Sequence, residues 1–448
     1  MSQQYLVSSD AERKDMISKM RSGDRTISNK KIAEIFAIDP FIDAYDLELD
    51  DLDPSHPSLF VNDTIWPHFE RLRNEDPVHF HENSMMGPYW SVSKYHDIMY
   101  VDSHHELFSS QQQKGGIALG GVARDEQYAL PMFIQEDPPK HDAQRKVVTP
   151  LFIPRQLTDL EPLIRSRAGE ILDNLPRNEE FNWVRKVSVE LTAQMLATLF
   201  DVPQEDRLKL IEWSDTIQNL ADPEFFDSVD EGFQTLFECL AYFQALYEQR
   251  KKEPPKFDLI SMLAHDESTN NMEPMELLGN VMLLIVGGND TTRNSISGGV
   301  LALNQNPDEY QKLIQNPALV SSMVPEIIRW QTPVAHMART ATQDVELGGK
   351  LIKKDDRVCM WYISGNRDED MITQANEFII DRSNPRQHTA FGYGVHRCVG
   401  NRLAEMQLKV IWEEILKRFG KVEVTSEPTL LASNFIHGIR DLPVTLRD

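Results

Sequence analysis

The segment FGYGVHRCVG at residues 391–400, running directly into NRLAEMQLKVIWEEILKRF, constrains this chain more than any other stretch. Gly392 and Gly394 permit the tight turns and positive φ of a flat loop that other residues resist. After Cys398, Gly400 opens a helix whose apolar residues recur at three- and four-residue spacing. The positive end of that helix favours a negative sulfur. Taken alone, a cysteine in such a place reads in two ways. It is either a buried structural residue or a thiolate ligand held by backbone N–H groups.

Composition narrows the partners. The chain has 448 residues, of which 41% are apolar, enough for a sizeable core and too many for a disordered protein. Its formal charge of −24 argues against nucleic acid or an anionic membrane surface as the main partner. Cys239, Cys359 and Cys398 are the only cysteines and form no C-x-x-C pair, which disfavours a disulfide framework and a structural zinc site. The longest apolar run, VMLLIVGG at 281–288, is far shorter than the roughly 20 residues a bilayer span needs. The N-terminus lacks the apolar core of a signal peptide. The protein is therefore expected to be cytoplasmic, with no membrane span.

Residues 1–60 are acidic and read as an irregular lead-in, and 61–448 as one domain. Strand-like pieces stand near 79–83 and 88–95, and a long middle region has helical periodicity. After Thr340, DVELGGKLIKKDDRVCMW has a Gly-Gly turn between alternating runs, a hairpin leading into a further strand. The expected fold is mainly α with a minor β portion.

Three further motifs matter together. PEIIRW places Glu326 and Arg329 three apart, on one helix face. LIVGGNDTTRN sets Gly287 and Gly288 in mid-helix, each costing roughly 1 kcal/mol against Ala, beside Asp290, Thr291 and Thr292. That segment alone reads equally as a close helix crossing or as a ladder that widens to admit a ligand. DPPKHDAQRK carries His141 and Arg145, four apart. With F-G-x-G-x-H-x-C-x-G complete, and the Glu-x-x-Arg pair 72 residues ahead of the cysteine, the chain resembles the cytochrome P-450 family from about residue 77 to its C-terminus.

That resemblance implies a haem-dependent monooxygenase of the cytochrome P-450 fold, a single large domain binding haem b. Cys398 would ligate the iron as a thiolate, which favours O–O cleavage. His396, His141, Arg145 and Arg339 would hold the propionates, since cationic donors to carboxylates make strong hydrogen bonds. Phe391 would shield the sulfur, while Gly392 shapes the loop and Gly400 keeps side chains off the porphyrin. Arg382 in FIIDR would join Glu326 and Arg329 in a structural triad. On the oxygen side, Thr291 would donate to O2 and Asp290 would relay protons through a local widening of the helix. His388 is read as structural.

VGGNDTTRNSISGG, TPVAHMARTA and WYISGNRDED are similar to segments of the soluble bacterial alkane terminal hydroxylases, which also oxidise fatty acids at the ω carbon. The substrate residues this implies, Leu284, Gly287, Val334, Met337 and Phe435, are apolar or small, as a hydrocarbon requires. They suit a steroid or terpenoid side chain as well, which is the alternative reading. A haem-based sensor or carrier without turnover is an alternative of another class, and the Asp290–Thr291 pair speaks against it. No stretch reads as a fused flavin or iron–sulfur segment. Electrons from NAD(P)H are thus expected through a separate ferredoxin and ferredoxin reductase, docking near Lys140, Lys146, Arg397, Arg402 and Lys409.

Overall fold

The helical periodicity resolves into a bundle around one central element, the helix Pro274–Gln305. The structure is a computed structural model that describes residues 6–21, 27–120, 129–220, 222 and 225–447. Proline at the first turn of the central helix starts it without losing a hydrogen bond. Leu277, Val281, Ile285, Val300 and Leu303 bury it against Val189–Phe200, Val320–Gln331 and Asn401–Arg418. Each such side chain contributes roughly 1.5–3 kcal/mol when taken fully from water. A Cβ at Gly298 would stand 2.0 Å from Gln331 Oε1, so bare backbone lets the helix Val320–Gln331 cross this closely.

The minor β portion flanks the bundle. Five strands run in the order Val78–His81, Tyr89–Val92, Arg357–Met360, Met337–Ala341, Phe108–Ser109. The first pair is antiparallel with Val78 opposite Val92, close to the strand pieces read from the sequence. The hairpin Val345–Leu347 and Lys350–Ile352 turns on Gly348 and Gly349, both at positive φ. Its continuation, Arg357–Met360, becomes a central strand of the five. The fold is mainly α with minor β, as its periodicities require.

Residues 1–60 differ from the irregular lead-in expected. They contain helices at Asp10–Arg21 and Asn29–Ile35, and a short one begins at Pro57. Ser28 Oγ accepts from the Lys31 N–H to cap the second of these. Among the described residues, the apolar side chains buried deepest in and beside the first two are Met16 and Phe36, so little of either helix marks a core-facing stripe in the sequence. Among the described residues, no helix is long and apolar enough to cross a membrane.

Candidate active site

The cysteine loop is shaped by local hydrogen bonds. Gly392 N–H donates to Thr389 O at 2.8 Å, and Cys398 N–H donates to Phe391 O at 2.9 Å. Gly392 and Gly394 take φ of +64° and +63°. A Cβ on Gly394 would come 2.4 Å from Asp102 O, so the loop lies against the helix Tyr95–Ser103. Gly400 caps the helix Asn401–Arg418 and has no atom nearer its Cβ position than Phe152 at 4.0 Å. Cys398 lies deep in the molecule with its side chain open to a cavity. Burial pushes its thiol up, while the N–H groups of Gly400 and Asn401 and the charges of Arg145 and Arg397 act the other way. Binding a metal cation in place of the proton resolves this conflict.

Cationic and imidazole groups gather beside the sulfur. Arg145, Arg339 and His396 border the cavity, whereas His141 stands behind His396 with the ring centres 4.2 Å apart. His396 Nε2 faces Ser110 Oγ at 3.0 Å, and burial beside Arg339 drives its pKa far down, so it is neutral. His396 Nδ1 and His141 Nε2 are both buried without a hydrogen-bond partner among the described residues. Arg145 donates to Arg397 O. Arg339 is held by Asp102 at 2.7 Å. The other oxygen of Asp102 accepts from Tyr362 Oη and from the Tyr393 N–H, tying this arginine to the cysteine loop. Asp102 carries no local signal in the sequence, because its partner lies 237 residues away.

The cavity has a volume of about 1920 Å³. Ordinary small-molecule pockets span roughly 300–1,000 Å³, so it can hold a cofactor and a substrate together. An exposed sulfur, an imidazole with an orphaned nitrogen and two arginines at one wall fit an iron porphyrin with two carboxylates. Leu284, Gly287, Val334, Met337 and Phe435 all line the same cavity.

The central helix runs as unbroken α-helix past Gly287 and Gly288, so the expected widening is not present. In its place, Thr291 Oγ1 donates to Gly287 O at 3.0 Å. A carbonyl can only accept, so the hydroxyl proton is engaged there and a lone pair is left for the cavity. Asp290 faces elsewhere. Its buried carboxylate accepts from Ser214 Oγ at 2.6 Å and Asn289 Nδ2 at 2.8 Å, and it pairs with Arg293 at 2.9 Å. Arg293 in turn reaches Asp215 at 2.8 Å, whose side chain is partly exposed. Burial raises the Asp290 pKa against the opposing charge of Arg293. The Asp290–Arg293 spacing of three is visible in DTTR, and so was a signal available to sequence reading.

Glu326, Arg329 and Arg382 do meet. Glu326 and Arg329 are fully buried and bidentate at 2.8 Å, and Arg382 Nε reaches Glu326 Oε2 at 3.1 Å. Arg329 also donates to the carbonyls of Asn366, Ala375 and Glu377, clamping the segment ahead of the cysteine loop. A buried ion pair survives only with its remaining hydrogen bonds satisfied, and these backbone acceptors supply them. His388 is buried with its ring against Phe391 and lies off the main cavity.

Comparison with known proteins agrees with this geometry. A family profile described as Cytochrome P450 matches residues 64–435. Linalool 8-monooxygenase of Pseudomonas putida is 37% identical over 403 residues, covering 88% of this chain and 98% of its own. A methyl-branched lipid omega-hydroxylase of Mycobacterium tuberculosis is 32% identical over 389 residues, covering 84% of this chain and 90% of its own. The solved structure of cytochrome P450-153 from Novosphingobium aromaticivorans aligns with a TM-score of 0.84 at 43% identity, covering 88% of this chain and 99% of that one.

Proposed function

The chain belongs to the cytochrome P450 family and is a haem b monooxygenase, and from that premise we propose that it hydroxylates medium-chain n-alkanes or fatty acids at the terminal (ω) carbon. The observation carrying this reading is the cavity wall. Leu284, Val334, Met337 and Phe435 present apolar surface, and Gly287 leaves open space above bare backbone. Such a wall binds by excluded water and area, with few polar anchors. The relative named as a lipid omega-hydroxylase supports chain-end oxidation. The relative named as linalool 8-monooxygenase favours a second reading, a terpenoid side chain in the same cavity.

Haem b, when bound, supplies the activation of O2 and the transfer of one oxygen atom to a C–H bond. Cys398 would hold the iron, with Phe391 keeping water from the sulfur. Arg145, Arg339 and the neutral His396 would hold the propionates, and His141 would support His396 from behind. Thr291 Oγ1 would accept a hydrogen bond from a water or protonated oxygen at the cavity wall. Asp290 would take up protons from the solvent side near Asp215 and carry them in by rotating towards the cavity, with Arg293 staying protonated and holding the two carboxylates in place. A carrier without turnover has no use for that file of charges.

A terminal C–H bond is the hardest in an alkane to break, so selectivity must come from presenting only the chain end. Product analysis with octane, decane and dodecanoic acid is therefore expected to give mainly the terminal alcohol. Mixtures dominated by internal alcohols, or turnover confined to sterols, would overturn this reading.

Electrons would reach the haem from NAD(P)H through a ferredoxin and its reductase. Of the five cations near the cysteine segments, Lys140 is already paired with Glu136 and Glu276, and Lys409 with Glu413. Lys146, Arg397 and Arg402 have no ion-pair partner among the described residues and are the free charges of this face. Reduction by an acidic ferredoxin should slow as salt rises and slow several-fold in Arg397→Glu. Stopped-flow reduction rates indifferent to both would exclude docking on this face.

A further inference from the structure

The cavity that opens over Cys398 is also walled by residues ahead of the shared domain. Ile32, Ala33, Ala37 and Ile38 line it, together with His56. All precede residue 64, where the family match begins. Two of the relatives are matched over 98% and 99% of their own lengths, yet each covers only 88% of this chain. Part of the cavity wall thus belongs to a segment ahead of the family match. Ala33 is exposed and Ile32 half-buried, so the helix Asn29–Ile35 stands where the cavity meets solvent.

This wall is fastened from several sides. The Phe36 side chain is buried, and its carbonyl meets His56 Nε2 at 2.7 Å. His56 Nδ1 accepts from the Ser58 N–H at 3.1 Å, which fixes a neutral imidazole with its proton on Nε2. Burial lowers the His56 pKa in the same sense. Leu6 bridges to Ile38, and Val7 N–H donates to Ala37 O at 3.1 Å. Asn434, itself a cavity residue, donates to Ser55 O at 2.6 Å and ties the segment to the far C-terminal loop.

We infer that residues 29–38 form an outer section of the substrate channel, where Ile32 and Ile38 grip the trailing part of a long apolar chain whose leading end lies at the haem. They thereby set how far affinity rises with chain length. Its natural ligand rests on the hydrocarbon reading above, but the wall itself can be probed without it. Each methylene held against such a surface is worth about fourfold in affinity. A charge placed at Ile32 removes that gain only for tails long enough to reach it.

The test uses haem-loaded full-length protein and a series of 1-alkylimidazoles from methyl to dodecyl, titrated by the absorbance change as the imidazole nitrogen ligates iron. Ile32→Asp is expected to leave the short-tailed members unchanged and to weaken the longest about tenfold, the loss of roughly two methylenes of contact. Ile32→Leu should restore the parent profile, and Glu34→Ala, on the exposed face of the helix, should not disturb it. A second variant lacking residues 1–36 should lose the long-tail gain as Ile32→Asp does. If both variants keep the native reduced–CO spectrum and the parent's dependence on tail length, the proposal is wrong. Weakening of all tails equally also overturns it, because a local grip cannot affect short ones. A parallel titration with n-alkanes separates the two claims. If no alkane perturbs the parent spectrum while Ile32→Asp still loses its long-tail affinity, the hydrocarbon reading fails and the channel wall stands.

Discussion

Thr291→Ala is expected to keep much of its NADH consumption while losing most of its product, with hydrogen peroxide making up the difference. The reason lies in one hydrogen bond. Thr291 Oγ1 gives its proton to Gly287 O, so towards the cavity it offers only a lone pair. That lone pair would hold the hydrogen of a water at the cavity wall, keeping a proton source beside the place where bound haem b would activate O2. Alanine offers nothing there, so more of the reducing equivalents should end as hydrogen peroxide. Substrate binding and the first electron transfer do not use this contact and should be nearly unchanged. A net hydrogen bond of roughly 0.5–1.5 kcal/mol corresponds to a shift of up to about tenfold in the ratio of product to peroxide.

Asp290→Asn should behave differently, slowing product and peroxide together. The carboxylate is buried against Arg293 and Ser214, and burial lifts its pKa towards the range in which it can take up and release a proton. Asparagine preserves the shape and cannot carry the proton. Thr292→Ala is the control: Thr292 also borders the cavity but is almost fully buried, and its effect should be mild. Peroxide and product measured per NADH distinguish these outcomes. Tight coupling in Thr291→Ala, with coupling lost in Thr292→Ala, would contradict the assignment of the hydroxyl.

What the sequence discloses of this fold follows the range of the interactions. The loop around Cys398 was readable because each constraint is local, from the glycine φ angles to the helix that Gly400 opens. Glu326 and Arg329 were readable for the same reason, being three apart on one face. Their partner Arg382 needed the family pattern, because the contact spans 56 residues. The direction of Asp290 was not readable. Neighbours on a helix lie about 100° apart, and packing against Ser214 decides which of Asp290 and Thr291 meets the cavity. His141 illustrates the same limit, since its helical spacing from Arg145 could not show that His396 stands in front of it. The cavity wall at Ile32 and Ile38 was not readable, because the apolar cluster IAEIFAI at 32–38 is too short to show whether it faces a core or a cavity.

The central claim is that Cys398 is the sulfur that holds the haem iron. Three thiols compete for that role, and their surroundings differ. Cys239 is buried against Met282, Cys359 is buried in the five-stranded sheet, and burial raises both thiols, opposed at Cys359 by the charge of Arg357 alone. Neither lines the cavity. Cys398 does, with the N–H groups of Gly400 and Asn401 and two arginines placed to favour its thiolate. The deciding measurement is the absorbance spectrum of the reduced protein under carbon monoxide, in the parent and in the three single cysteine-to-alanine variants. The band of thiolate-ligated haem should be present in the parent, in Cys239→Ala and in Cys359→Ala, and absent in Cys398→Ala. Survival of the band in Cys398→Ala, or its loss in one of the other two while the protein still holds haem, would contradict the account.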